Sequence, residues 1–223
     1  ACPIVRIIGA QTLAGHRPMK AAARARLKQV ATPRWCDRYV VDTNVLIAAS
    51  AAMARQRGET LLSHHLEVTP DDPALQARVL AWLEDFAASP ARLVLDTAGA
   101  INIEYHRKLD FHDYGIQVLM WKLSREEVDR VEIDFDADGN GIVPQPLDDV
   151  VHDLADRKMV AAALQALSLP GTSAIAFAGD TDWHDWEPQL TRTGLTLLPL
   201  IPEWSRARHA EKQQRHHKML HHD

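Results

Sequence analysis

The chain has 223 residues, 46% hydrophobic and 25% charged, which supports a sizeable folded core and excludes an intrinsically disordered protein. Its two cysteines, Cys2 and Cys36, both precede the first strong strand; they exclude a disulfide framework and fit a reducing compartment. The net charge of −5 is unevenly spread: residues 1–38 carry eight Lys/Arg against one acid, residues 203–223 carry five Lys/Arg, three acids and five histidines, and residues 39–202 hold a formal −14. An acidic body with basic ends suits a protein whose ends meet a polyanion while its body gathers cations, although charged ends are also simply well solvated.

No apolar run approaches the ~20 residues that span a bilayer, so no membrane association is expected. The opening "ACPIVRIIGA" has Arg6 in its middle and no apolar region of signal-peptide length, so a cytoplasmic location is expected. The first strong element is "RYVV" at 38–41, a β-branched run that stops at Asp42. A helix from about Asn44 to Arg55 follows, and "HHLEVTP" reads as a loop or short strand. In "DDPALQARVLAWLEDFAAS", Asp72 as N-cap, Pro73 at the first helical position and apolar Leu75, Val79, Leu80, Leu83 and Phe86 predict a helix. "ARLVLD" predicts a strand ending in Asp96, whose carboxylate caps the helix carrying Ile101, Ile103 and Glu104. Further helices are expected over "YGIQVLMWKLS" and "DRKMVAAALQALS". "AIAFAGD" is a buried strand ending at Asp180, and "GLTLLPL" is the last strand. Strands separated by helices imply a parallel α/β fold.

In open parallel sheets, functional groups gather beyond the carboxyl ends of the strands, near the point where strand order reverses. Asp42 and Asp180 both emerge there. Carboxylates that converge raise one another's pKa unless a cation neutralises them, and oxygen-only sites suit hard divalent ions such as Mg²⁺ or Mn²⁺. The expectation is a metal site.

"VVDTNVLIAA" resembles the opening motif of PIN-domain proteins, an apolar strand followed by Asp-Thr/Ser-Asn/Ser. "INIEYHRKL" is similar to the segment with that family's second acid, which puts Glu104 there. "LADRKMVAAAL" resembles the start of the third-acid helix, with Asp156, and "IAFAGDTDW" the fourth-acid strand end, with Asp180 and Asp182 beside it. The resemblance covers about residues 38–201. It implies a three-layer α/β/α sandwich around a five-stranded parallel sheet, an acid cluster holding one or two Mg²⁺ or Mn²⁺, and metal-dependent cleavage of RNA. It also implies a homodimer and, for small bacterial members, a toxin held by an antitoxin protein.

On that reading Asp42, Glu104, Asp156 and Asp180 are the catalytic and metal-binding acids. Glu104 has the longer reach and ligates through water or orients the attacking water. Thr43 and Asn44 orient Asp42 or the phosphate, and Asp182 supports the acids. Arg157 and Lys158 either meet the substrate backbone or lie on a solvated surface. Asp96 is left to capping, and Asp153 to the surface. "DFDADGNGIVPQPLDD" resembles an EF-hand loop at Asp136, Asp138 and Asn140, but Leu147 stands where a bidentate glutamate belongs. A hairpin-like insertion near 128–147 is therefore expected. The His pairs at 64–65, 216–217 and 221–222 lack metal-ligand spacing. The segments are then a basic extension, 1–37, a PIN-like nuclease domain, 38–202, and a His-rich basic helix or tail, 203–223. The alternative is a PIN-like module that binds RNA or protein without cutting. A DNA-directed structure-specific nuclease is disfavoured, because no helical arch or DNA-binding helices are recognisable.

Overall fold

The β-branched run at 38–41 forms strand β1 (Arg38–Val41), buried at all four positions in the computed structural model. Residues 35–60 and 67–220 are described; most of the basic extension, His64, His65, His221 and His222 lie outside them. The described residues belong to one unit, Trp35–Asp223.

After β1 come α1 (Thr43–Gln56), α2 (Pro73–Ala88), β2 (Arg92–Asp96), α3 (Ala100–Lys108), α4 (Tyr114–Ser124), β3 (Val128–Val131), α5 (Arg157–Ala166), β4 (Ser173–Phe177), α6 (Asp182–Arg192), β5 (Leu197–Pro199) and α7 (Pro202–Leu220). All strand pairs are parallel, in the order β3-β2-β1-β4-β5. Because β1 and β4 are buried along their whole length, helices cover both sheet faces, as a parallel sheet requires. The expected α/β fold with a five-stranded parallel sheet is observed.

The helices start where side chains supply the first free N–H groups with acceptors. Asp72 Oδ1 accepts from Ala74 and Leu75, and Asp96 accepts from the N–H groups of Ala100 and Ile101 at 2.8 Å each. Asp96 is therefore the cap expected of it. Helix α1 is rich in buried alanines, which lets α4 come close: a Cβ on Gly115 would lie 2.7 Å from Leu46 Cβ. Ser50 Oγ accepts from the Gly115 N–H at 2.8 Å in the same contact.

Two elements depart from the expected ones. Val128–Val131, expected inside the hairpin-like insertion, is the outer parallel strand β3 beside β2. The reversal beyond it is shorter than expected, closed by a single antiparallel bridge between Phe135 and Gly141. Within that loop Asp136 accepts from the N–H groups of Asp138 and Asn140. Its carboxylate is thus used to build the turn. Helix α6 follows Thr181 directly although Pro188 lies inside it; Trp183, Trp186 and Leu190 supply its buried face.

Among the described residues no helix is long and apolar enough to cross a membrane.

Candidate active site

The order β3-β2-β1-β4-β5 places the reversal between β1 and β4. Asp42 follows β1, and Asp180 follows β4 by three residues, so the two expected acids stand at the topological switch point. The Asp42 N–H donates to the Ala176 carbonyl at 2.9 Å, which extends the β1–β4 pairing to the site. Asp42 is 2% exposed. One of its oxygens accepts from the Asn44 N–H at 2.9 Å and the other from the Trp183 indole N–H at 3.0 Å. Both bonds fix the carboxylate plane.

Burial pushes the Asp42 carboxyl up to about 7, with the charges of Asp180 and Glu104 adding to it against those two hydrogen bonds. Asp156 is pushed further, to about 9, first by burial and then by Asp42, Asp180, Asp153 and Glu104. It stands at the N-cap position of α5 but makes no capping hydrogen bond, so capping does not account for it. Asp180 is also raised, by burial first and then by Asp182 and Asp153, while Lys212 partly offsets this. The mutual electrostatic influence shows that the fold brings Asp42, Glu104, Asp156 and Asp180 to one place. Asp153, read from sequence as a surface acid, is exposed but close enough to act on two of them.

Glu104 has a different setting. Thr43 Oγ1 donates to one of its oxygens at 2.6 Å, and Lys158 forms an ion pair with the other. Lys158 also donates to the Ala155 carbonyl at 2.5 Å. Thr43 thus orients Glu104, where sequence reasoning had it serve Asp42 or the phosphate. Lys158 enters the cluster; its neighbour Arg157 is turned to the segment that follows the insertion, bonding the carbonyls of Asp148 and Val151. Asn44 contributes its backbone N–H to Asp42. Asp182 is drawn toward α7 by an ion pair with Lys212.

Sequence reasoning missed two supports. Trp183 holds Asp42, and the buried Tyr105 hydroxyl donates to the Val41 carbonyl at 2.5 Å, immediately before Asp42. Tyr105 directly follows Glu104 in "IEYH", and Trp183 lies in "GDTDW". An aromatic with a polar tip beside a candidate acid was the available signal.

Among the described residues no three His, Cys, Asp or Glu side chains are already drawn into an arrangement that could hold a metal ion. The donor chemistry nonetheless fits one. Asp42, Asp156 and Asp180 are oxygen donors whose charged forms are disfavoured by burial, a situation that a divalent cation relieves. No family model matches the chain, and neither the curated proteins nor the solved structures gave a match to it.

Proposed function

We propose that the acid cluster binds Mg²⁺ or Mn²⁺ and that the protein is a metal-dependent endoribonuclease. The observation that carries this is the convergence of buried Asp42 and half-buried Asp156 at the switch point of a parallel sheet, where burial and crowding raise them to about 7 and about 9. Helix capping does not explain Asp156, and core stability does not explain either. Carboxyls perturbed by burial and by one another are a recurrent mark of catalytic sites. The likeness of the four acid segments to PIN-domain proteins supplies the reaction class.

Asp42, Asp156 and Asp180 would hold the ion, which when bound supplies Lewis-acid stabilisation of the phosphoryl oxygens and acidifies a bound water. The chain's own residues do the rest. Trp183 and the Asn44 N–H hold Asp42 in one orientation. Thr43 and Lys158 hold the Glu104 carboxylate in one orientation, from which it accepts a proton from the attacking water. The Lys158 ammonium also faces charge that grows on the phosphate. By the same likeness, the proposal extends to a cytoplasmic homodimer and to restraint by an antitoxin protein.

One observation favours the non-catalytic alternative: Lys158 already neutralises Glu104 without a metal. Cleavage decides between the two. Purified protein and its Asp42→Asn and Asp180→Asn variants are incubated with tRNA, rRNA and synthetic single strands, in Mn²⁺, Mg²⁺ or EDTA. Discrete metal-dependent cuts absent from both variants are expected. RNA binding without cutting by all three proteins would establish the non-catalytic reading instead.

A further inference from the structure

We propose that helix α7 forms one wall of a binding groove for the single-stranded RNA that flanks the scissile phosphate. This deepens the nuclease reading and rests on it. The observation is a cleft of about 430 Å³ that begins at Gly179 and Thr181, the residues on either side of Asp180, and runs along α7. Its size falls within the ~300–1,000 Å³ of ordinary ligand clefts.

The α7 side of the cleft is made by Trp204, Arg208, Lys212 and Arg215. Their spacing of four, four and three residues puts them on one helical face, with Arg208 and Arg215 ~10 Å apart along the axis. That separation lets the two guanidinium groups hold two phosphates of one strand. Arg208 and Arg215 are exposed, and Arg208 lies over the half-buried Trp204 ring at 5.8 Å. An indole and a guanidinium face together form a platform on which a base stacks, a sequence-tolerant contact.

Lys212 has another task. It pairs with Asp182 and, at 3.6 Å, with Asp185. His209 also bonds Asp185 at 2.7 Å, and His184 bonds Ser205 at 2.9 Å. These contacts fasten α7 to α6, the helix that starts two residues after Asp180. The cations of α7 are therefore held in fixed relation to the acid cluster.

The opposite wall is built on Thr69, whose carbonyl would lie 2.3 Å from a Cβ on Gly179; only glycine allows this approach. That wall presents Glu67 and Asp71. Carboxylates repel a phosphate backbone and accept hydrogen bonds from ribose 2′-hydroxyls, so a strand lies with its phosphates on α7 and its sugars toward Glu67 and Asp71. The 2′-hydroxyl is what separates RNA from DNA at such a wall.

The test measures binding of a fluorescent single-stranded RNA to the full chain in EDTA as salt is varied, with cleavage in Mn²⁺ measured in parallel. Arg208→Ala/Arg215→Ala should weaken binding about tenfold or more at low salt and lower the slope of log affinity against log salt by ~1.4, two phosphate contacts' worth. Arg208→Lys/Arg215→Lys should restore most of the slope. If the native chain cuts RNA and the double alanine variant binds and cuts with the same affinity and salt slope, the groove is overturned and the nuclease stands. If the native chain neither binds nor cuts RNA, both are overturned.

Discussion

The charge crowded at the switch point should make the metal-free protein less stable as pH rises, and one substitution isolates the effect. A carboxyl whose native pKa lies above its unfolded one keeps a proton in the folded state that the unfolded chain releases. Folded stability is then fullest below pH ~4 and falls by ~1.4 kcal/mol per pH unit for each such group until the native pKa is passed. For Asp156, raised to about 9, the accumulated cost by pH 8 is ~6 kcal/mol. Asp156→Asn removes that cost but leaves a half-buried amide short of a partner, a penalty of ~2 kcal/mol. The net gain is ~4 kcal/mol, or about 8–16 °C in Tm for a chain of this size. Thermal unfolding in EDTA at pH 4.5, 6 and 8 measures it. The variant should match or fall below the native chain at pH 4.5 and exceed it progressively at pH 6 and 8. Saturating Mn²⁺ should reverse the order at pH 8, because the native site then binds the ion. A variant that is less stable than native at pH 8 in EDTA, or a difference that ignores pH, would refute the electrostatic account of the cluster.

Tyr105→Phe leaves the Val41 carbonyl without its buried donor and should cost ~1–3 kcal/mol of stability by denaturant unfolding; no loss would mean that this bond supports nothing. Asp129 on β3 bonds Arg38 at 2.8 Å and Arg92 at 2.6 Å, clamping the starts of three strands. Burial works to raise its pKa, but these two arginines outweigh it and hold the carboxyl below its ordinary value. The clamp is complete above pH ~4 and lost as pH falls below it. Asp129→Asn should therefore cost ~2 kcal/mol at pH 7, less than a fully buried pair because Arg92 is part-exposed, and the difference should shrink toward pH 3. Lys158→Met frees Glu104 from its ion pair, and should tighten Mn²⁺ binding severalfold in a calorimetric titration while slowing RNA cleavage. Unchanged affinity would place Glu104 outside the metal's reach.

The strands that carry Asp42 and Asp180 were legible because each is an apolar run that stops at a carboxylate, a pattern that core packing does not produce. Helix α2 was legible from its cap and its Pro at the first position. Strand β3 was not, since "VDRV" holds two charges in four residues. Its charge is explained only in three dimensions, where Asp129 meets Arg38 and Arg92 across the sheet. Helix α6 was obscured by Pro188 and its acids, although Trp183, Trp186 and Leu190 fall at helical spacing. Within the site, residue identity pointed to acids that the fold brings together but not to what holds them. Lys158 and Glu104 lie on different helices, and the Trp183 bond to Asp42 joins α6 to the end of β1. No periodicity reports such contacts. The degree of burial, which sets the pKa of each acid, likewise arises only from tertiary structure.

The central claim is that the acids crowded at the switch point form a cation site whose protons give way to a divalent ion. Calorimetric titration of Mn²⁺ into the native chain and Asp42→Asn at pH 6.5, in two buffers of different ionisation enthalpy, tests it directly. Asp42 and Asp156, raised to about 7 and about 9, hold protons at that pH in the metal-free protein. Binding to the native chain should release about one to two protons per site, and Asp42→Asn should bind far more weakly. Equal binding by both proteins with no proton release, or no binding at millimolar Mn²⁺, would contradict the account.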